Sequence, residues 1–313
     1  MAKSTRNLAH LARYFSDENA ARELLESLRW PNGAACPRCG GADPYKLTPK
    51  PSGKNPARHG LYKCRACKRQ FTVTVRTVFE SSHVPLSKWL LAIHLMCASK
   101  KGLSAHQLHR MLGITYRAAW FINHRLRYAM ATQEGLFAKL MGTVEVDETF
   151  VGGRRRGTNR GRPKVDSHKT PVVALVQRGG NVRMFPMARV TGDNLRKAIR
   201  EHVDPSSTLM TDELAAYGKA GKELAQHERV QHGMGEYVRG NVHTNTVEGV
   251  FSLLKRGING SFHHVSKGHL HRYCAEFEFR WNTRSAVGVD DGERAALLVK
   301  GAEGKRLTYK MPA

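Results

Sequence analysis

The sequence predicts a mixed α/β protein in which a layered sheet follows a cysteine-rich ribbon and a helical region. Two Cys-x-x-Cys pairs lie within the first 70 residues, helical periodicity runs from Pro85 to about Met130, and short alternating strands begin at Gly142. The later elements run strand, strand, strand, helix, strand, helix and helix, which matches a three-stranded meander followed by alternating elements. We therefore expect domains at 1–84, 85–140 and 141–290, and a loose C-terminal tail with one more short helix at 291–313.

Net charge is the clearest bulk property of the chain. Its 313 residues include 51 Lys and Arg but only 26 Asp and Glu, which gives a formal charge of +25. This surplus predicts a polyanionic partner, because basic side chains that neutralise phosphates release condensed counterions. A membrane is disfavoured, since no apolar run approaches the roughly 18 residues of a spanning helix and the N-terminus lacks a secretory signal. Nucleic acid is the expected partner and the cell interior the expected location.

Four of the six cysteines form two pairs, Cys36 with Cys39 and Cys64 with Cys67, with 24 residues between the pairs. Two such thiolate knuckles can supply a tetrahedral four-sulfur zinc site. Fortuitous pairing and redox dithiols are the alternatives, which the doubled motif disfavours. Four thiolates leave no open position for a substrate, so a zinc ion here would be structural.

The helical region contains a helix, a turn at Gly113 and a basic second helix, an arrangement that resembles a helix-turn-helix. Ser104 and Thr115 are placed to cap the two helices. The residues predicted to face outward suit base edges and phosphates: Tyr116, Arg117, Trp120, Asn123, His124 and Arg127. The alternative is an ordinary packed hairpin with a solvated polar face. A later basic loop, which includes Arg154, Arg155 and Arg156, is a solvated linker, an arm that grips phosphates, or both.

Three acidic residues are placed to converge. Asp147 and Asp212 each follow an apolar strand run, and Glu248 lies on a late helix with 35 residues between it and Asp212. Three carboxylates repel one another unless a multivalent cation neutralises them, and such ligands suit Mg²⁺ or Mn²⁺. Two ions of this kind can promote attack on a phosphodiester. For any single acid, a helix cap or a surface salt bridge is the alternative.

The helix of Glu248 has an apolar stripe at Val247, Val250, Phe251 and Leu254. A neighbouring face then carries Glu248 together with Asn245, Ser252 and Lys255. A carboxylate and a lysine two turns apart would thus be directed into the same cleft.

The spacing of Asp147, Asp212, Glu248 and Lys255 resembles that of the DDE transposases and retroviral-type integrases. Longer phrases are similar to one branch of bacterial insertion-sequence transposases, the ISXO-like branch, which carries an N-terminal zinc ribbon. These phrases are Val-Asp-Glu-Thr-Phe-Val-Gly-Gly, His-Thr-Asn-Thr-Val-Glu-Gly-Val-Phe-Ser-Leu-Leu-Lys-Arg and Glu-Phe-Glu-Phe-Arg-Trp-Asn. The resemblance extends from about Trp30 to Arg284.

This resemblance implies a ribonuclease H-like catalytic domain in which Asp147, Asp212 and Glu248 bind two Mg²⁺ or Mn²⁺ ions and Lys255 contacts DNA. It further implies strand cleavage at element ends, attack of the freed 3′-hydroxyl on target DNA, and a homo-oligomer on double-stranded DNA at the nucleoid. Asn245 or His243 could share the third acidic position. Rival acids are Glu148, Glu213 and Asp193, of which the first two alternate to the opposite strand face. A regulator with an inactive catalytic domain and a nuclease without strand transfer remain the alternative functions.

Overall fold

The computed structural model describes residues 8–48, 59–131, 139–152 and 169–308. Its helices are α1 (Leu8–Ser16), α2 (Glu18–Arg29), α3 (Leu86–Ala98), α4 (Ala105–Leu112), α5 (Tyr116–Met130), α6 (Gly192–His202), α7 (Gly218–Gly221), α8 (Asn245–Gly257), α9 (Leu270–Asn282) and α10 (Asp291–Gly301). Its strands are β1 (Pro44–Lys46), β2 (Tyr62–Cys64), β3 (Gln70–Phe71), β4 (Thr143–Val151), β5 (Thr170–Gln177), β6 (Val182–Pro186), β7 (Thr208–Thr211), β8 (Gln226–Arg229), β9 (Val238–Arg239) and β10 (Val242–His243). In the described ranges, no helix combines the length and apolar character needed to cross a membrane.

The chain divides into two compact units, Met1–Thr132 with Val289–Ala313, and Gln133–Gly288. The first unit contains the antiparallel ribbon β1-β2-β3 and the helical region. Within that region the predicted caps are present, because Ser104 accepts the N–H of Gln107 and Thr115 accepts that of Ala118. Gly113 ends α4 in the left-handed conformation, at φ +57°, which glycine adopts without steric penalty.

The C-terminal segment also belongs to the first unit. Helix α10 contacts α2, α3 and α5, and Leu298, Val299 and Leu307 are buried. Asp290 begins the helix with a capping box that it forms with Glu293. The short helix expected in this segment is therefore present. The expectation of a loose tail is wrong for its described residues, because their apolar side chains complete a helical core.

The second unit is built on a five-stranded sheet with the order β6-β5-β4-β7-β8. Strands β4, β5 and β6 form an antiparallel meander, whereas β7 and β8 run parallel to β4. One face packs on α8 and α9, and the other packs on α6 and Tyr217. This is the ribonuclease H-like arrangement that the resemblance implied.

Helix α9 also covers the edge of the sheet at β6. Asn282 accepts the N–H of Val182 at 2.7 Å and donates to its carbonyl at 3.1 Å. Glu278 accepts the N–H of Met184 at 2.9 Å. These contacts satisfy backbone groups that an open edge would expose for pairing with another chain.

Candidate catalytic and metal sites

Asp147 on β4 and Asp212, which directly follows the adjacent parallel strand β7, lie close enough for their charges to interact. The register of β4 with β7 pairs Glu145 with Met210, an offset of 65 residues. The same offset relates the two aspartates, since 212 − 147 = 65. Asp212 directly follows β7, and its Oδ1 accepts the N–H of Leu214 at 3.0 Å. Asp147 was expected at the end of a strand, but β4 continues beyond it to Val151. The sheet nevertheless brings the carboxylates of Asp147 and Asp212 close together.

Glu248 joins this pair from α8, where it is exposed in the first helical turn. Burial raises the pKa of Asp147 to about 7; the N–H of Glu148 opposes this shift, and the charges of Glu148, Asp212 and Glu248 add to it. The three predicted acids are thus near enough for their charges to interact.

The chemistry of these carboxylates fits a divalent cation. All three offer hard oxygen ligands, and a cation would relieve the repulsion that helps to raise the pKa of Asp147. Their spacing is wider than one coordination shell, however. Among the described residues, the ribbon cysteines are the one set of three or more His, Cys, Asp or Glu whose ligand atoms all lie within 4.8 Å of one another.

The three rival acids each bind other protein groups. Glu148 faces the opposite side of the sheet, where it accepts the hydroxyl of Tyr217 at 2.5 Å. Glu213 accepts two backbone N–H groups of the turn at residues 232–233, at 2.8 and 3.0 Å. Asp193 pairs with Lys219 at the surface, at 3.2 Å.

The residues that could share the third acidic position lie at the start of α8. Thr244 is the N-cap, and Asn245 is the exposed first residue of the helix. His243 lies in β10, with its Nδ1 3.4 Å from Oε1 of Glu145. That buried glutamate and Arg178, which binds it, were both missed by sequence reasoning. The signal was a charged residue inside an apolar strand, which requires a partner when it is buried.

Lys255 lies on α8 two turns after Glu248 and lines a cavity of about 290 Å³. The described lining has no acidic side chain, but it includes two lysines and two histidines. Its residues are Phe150, Val151, Gly152, Lys169, Lys255, Ile258, Asn259, His263, His264 and Val265. This cavity is suited to a phosphate group.

The ribbon cysteines form a closed cluster. Sγ of Cys36 lies 3.7 Å from that of Cys67, and Sγ of Cys39 lies 3.6 Å from that of Cys64. A tetrahedral zinc site with Zn–S bonds of about 2.3 Å requires sulfur separations of about 3.8 Å. The two knuckles also share a backbone pattern, in which the residue four positions after Cys36 and after Cys64 donates to that cysteine's carbonyl.

The predicted outward face of α5 is only partly exposed. Tyr116 and Arg117 are exposed at the start of the helix. The prediction is wrong for Asn123, His124 and Arg127, which are 1%, 1% and 2% exposed. The amide of Asn123 instead donates to the carbonyl of Leu103 at 3.1 Å. Arg154, Arg155 and Arg156 lie outside the described residues.

The sheet, with acidic residues on β4, after β7 and on α8, defines a ribonuclease H-like domain of the DDE class. Comparisons with known proteins identify the family. The family model described as ISXO2-like transposase domain matches residues 139–282, and that described as transposase zinc-ribbon domain matches residues 16–70. The chain belongs to the ISXO2-like family of insertion-sequence transposases.

One relative is described as an uncharacterized protein in transposable element ISH50 of Halobacterium salinarum. It is 31% identical over 286 residues, which cover 85% of this chain and 91% of that protein. Among solved structures, the Mos1 strand transfer complex matches with 10% identity and a TM-score of 0.30, over 70% of this chain and 79% of that one. The Mos1 paired-end complex with left transposon end matches with 12% identity and a TM-score of 0.22, over 69% and 80%.

Proposed function

We propose that the protein cuts DNA at the ends of an insertion sequence and joins the freed 3′-hydroxyl to target DNA. The observation that carries this proposal is the parallel pairing of β4 with β7, which brings Asp147 close to Asp212 just beyond the end of β7. Glu248 stands in the first turn of α8, which packs on the same face of the sheet. A ribonuclease H-like sheet with acids at these positions supports phosphodiester chemistry better than DNA binding alone.

Asp147, Asp212 and Glu248 would hold the divalent cations Mg²⁺ or Mn²⁺. Two such ions, when bound, activate a water or a 3′-hydroxyl and stabilise the leaving oxygen of the phosphodiester. The sheet orients the two aspartates, and Lys255 would hold a DNA phosphate at the cavity it lines. The four ribbon cysteines would hold a structural Zn²⁺ ion.

Double-stranded DNA would be bound as both element ends and target. The formal charge of +25 supports this partner, and so does the exposed start of α5 with Tyr116 and Arg117. In helix-turn-helix proteins, the first residues of the second helix contact base edges. We propose that the ribbon and helical region recognise the terminal inverted repeats, and that copies of the chain assemble on DNA at the nucleoid to hold two ends together.

A strand-transfer assay with an end-bearing oligonucleotide, target DNA and Mg²⁺ tests this function against its alternatives. A transposase yields joined strands, and Asp212→Asn abolishes them. A nuclease yields only cut strands, and a regulator with an inactive catalytic domain yields neither product. Asp193→Asn is the matched control, because it removes an exposed acid that pairs with Lys219 and should join strands at the wild-type rate. Cut-only or absent products would refute strand transfer.

A further inference from the structure

Glu145 is a buried carboxylate on the face of β4 that also carries Asp147, two residues further along. Its side chain is 0% exposed, and a buried charge is tolerated only when it is paired and hydrogen-bonded. Its Oε2 accepts the N–H groups of Thr246 at 2.7 Å and Val247 at 2.9 Å. Its Oε1 accepts the hydroxyl of Thr246 at 2.8 Å.

These bonds make Glu145 the cap of α8. An N-cap side chain normally accepts the N–H of the second or third residue of its own helix. The N-cap of α8 is Thr244, whose side chain makes no such bond. Glu145 replaces it from a strand about 100 residues earlier, bonding the second and third residues of the helix. The next residue is Glu248.

Arg178 extends this connection to the segment that leads into α8. Its Nε donates to Oε1 of Glu145 at 2.6 Å. Its Nη1 donates to the carbonyl of Asn241 at 2.8 Å, and its Nη2 to that of His243 at 2.9 Å. One guanidinium therefore fixes both the cap of the helix and the backbone that enters it.

We propose that Glu145 and Arg178 are positioning residues that set Glu248 relative to Asp147. The inference rests on the proposed function, because it assigns these two acids to one metal-binding site. Glu145 lies about 7 Å along β4 from Asp147, at about 3.3 Å per residue, and it holds the residue that precedes Glu248. Any movement of the start of α8 on β4 therefore changes the separation of the two acids directly.

Glu145→Gln tests this inference, because it keeps the side-chain volume but removes the charge and one acceptor. We expect Mn²⁺ affinity, measured by electron paramagnetic resonance, to fall by about 10- to 100-fold, as when a residue supporting a metal ligand is lost. The kcat of strand joining should fall by about 100-fold, the effect of a displacement near 1 Å. The KM for DNA should stay within about twofold, because neither residue is proposed to contact DNA.

Glu278→Gln is the matched control. Glu278 is a partly buried glutamate that pairs with an arginine, Arg183, at 3.2 Å and accepts the backbone N–H of Met184 at 2.9 Å. It anchors the edge of the sheet rather than α8. Its replacement should lower the urea midpoint but keep the wild-type Mn²⁺ affinity and joining rate. Equal Mn²⁺ affinity and joining in the two variants would overturn the inference.

Arg178→Lys is a second variant that decides the question if Glu145→Gln does not fold. Lysine keeps the positive charge but cannot bond Glu145 and the carbonyls of Asn241 and His243 together. We therefore expect Mn²⁺ affinity to fall about tenfold. Unchanged Mn²⁺ affinity and strand joining would overturn the inference. Failure of the proposed function would look different, because the wild-type protein itself would not join strands, whatever its affinity for Mn²⁺.

Discussion

The ribbon of the first unit and the sheet of the second unit each gather candidate metal ligands, but they do so in different ways. The cysteines come from two short knuckles within one ribbon, and their sulfur atoms all lie within 4.8 Å of one another. The carboxylates come from β4, the residue after β7, and α8, and they span about 100 residues. They interact electrostatically without forming one coordination shell.

This difference separates a structural metal site from a catalytic one. Four converging thiolates complete the coordination of an ion and leave no position for a substrate. Acids held further apart keep their mutual repulsion until cations and DNA bind, and they leave coordination positions open for the reacting groups. The ribbon site should therefore affect folding most strongly, and the sheet site should affect reactivity and pH dependence.

Removal of a ribbon thiolate should have the largest effect. In Cys64→Ser we expect loss of the zinc ion and of the ribbon fold, because structural zinc contributes about 10–16 kcal/mol of apparent binding free energy. Zinc content measured by mass spectrometry and end-specific binding measured by gel shift check this expectation. Cys97→Ala, which truncates a buried cysteine of α3 outside the ribbon, should retain zinc. A zinc-replete Cys64→Ser protein would contradict the ribbon assignment.

Asp147→Asn should make the protein more stable at high pH while abolishing activity. The pKa of Asp147 is raised from 3.8 to about 7, so between these values the native state binds one more proton than the unfolded state. The free energy of unfolding of the wild type therefore falls as pH rises through this range. The loss is up to about 4 kcal/mol at 1.36 kcal/mol per pKa unit. The Asp147→Asn variant has no ionisable group at this position, so its free energy of unfolding does not fall in this way.

Urea denaturation without added Mg²⁺, at pH 4.5, 6 and 8, measures this effect. The advantage of Asp147→Asn over the wild type should be small at pH 4.5 and largest at pH 8. Added Mg²⁺ should reduce it by stabilising the wild type alone. Asp193→Asn, at an exposed ion pair, should show no such trend. A pH-independent difference in stability between Asp147→Asn and the wild type would mean that the pKa of Asp147 is not raised in the folded protein.

The sequence was sufficient to predict the ribbon, the meander of β4, β5 and β6, and the grouping of three carboxylates, because each has a signal of its own. It missed the short strands β8, β9 and β10. Paired cysteines, alternating apolar residues and acids beside apolar runs are all visible within short windows. The cap of α8 has no such signal. Glu145 contacts Thr246 and Val247 only because the sheet brings together residues about 100 positions apart.

The errors in the first unit also arise from contacts distant in sequence. An apolar stripe on α5 predicts a solvated opposite face, but the C-terminal segment packs along this helix. Arg125 donates to the carbonyl of Leu307 at 3.1 Å, and Lys305 donates to that of Tyr128 at 3.1 Å. A charged, unpatterned terminus was expected to be loose. Its docking against α5 contradicts the expectation of a loose tail. The polar face of α5 is covered from another side as well, where Asn123 donates to the carbonyl of Leu103.

The smallest expected effect follows from the exposed start of α5. Arg117→Ala should weaken binding to element ends by about fivefold, or about 1 kcal/mol, and reduce the slope of log affinity against log salt by about one. Lys219→Ala removes the same charge from a surface pair in the second unit and is the matched control. If both variants lose end-specific affinity equally, the contribution is general charge; if only Arg117→Ala does, the first unit reads the ends. Strand joining at saturating DNA should be unchanged in Arg117→Ala, because recognition and chemistry are then divided between the two units.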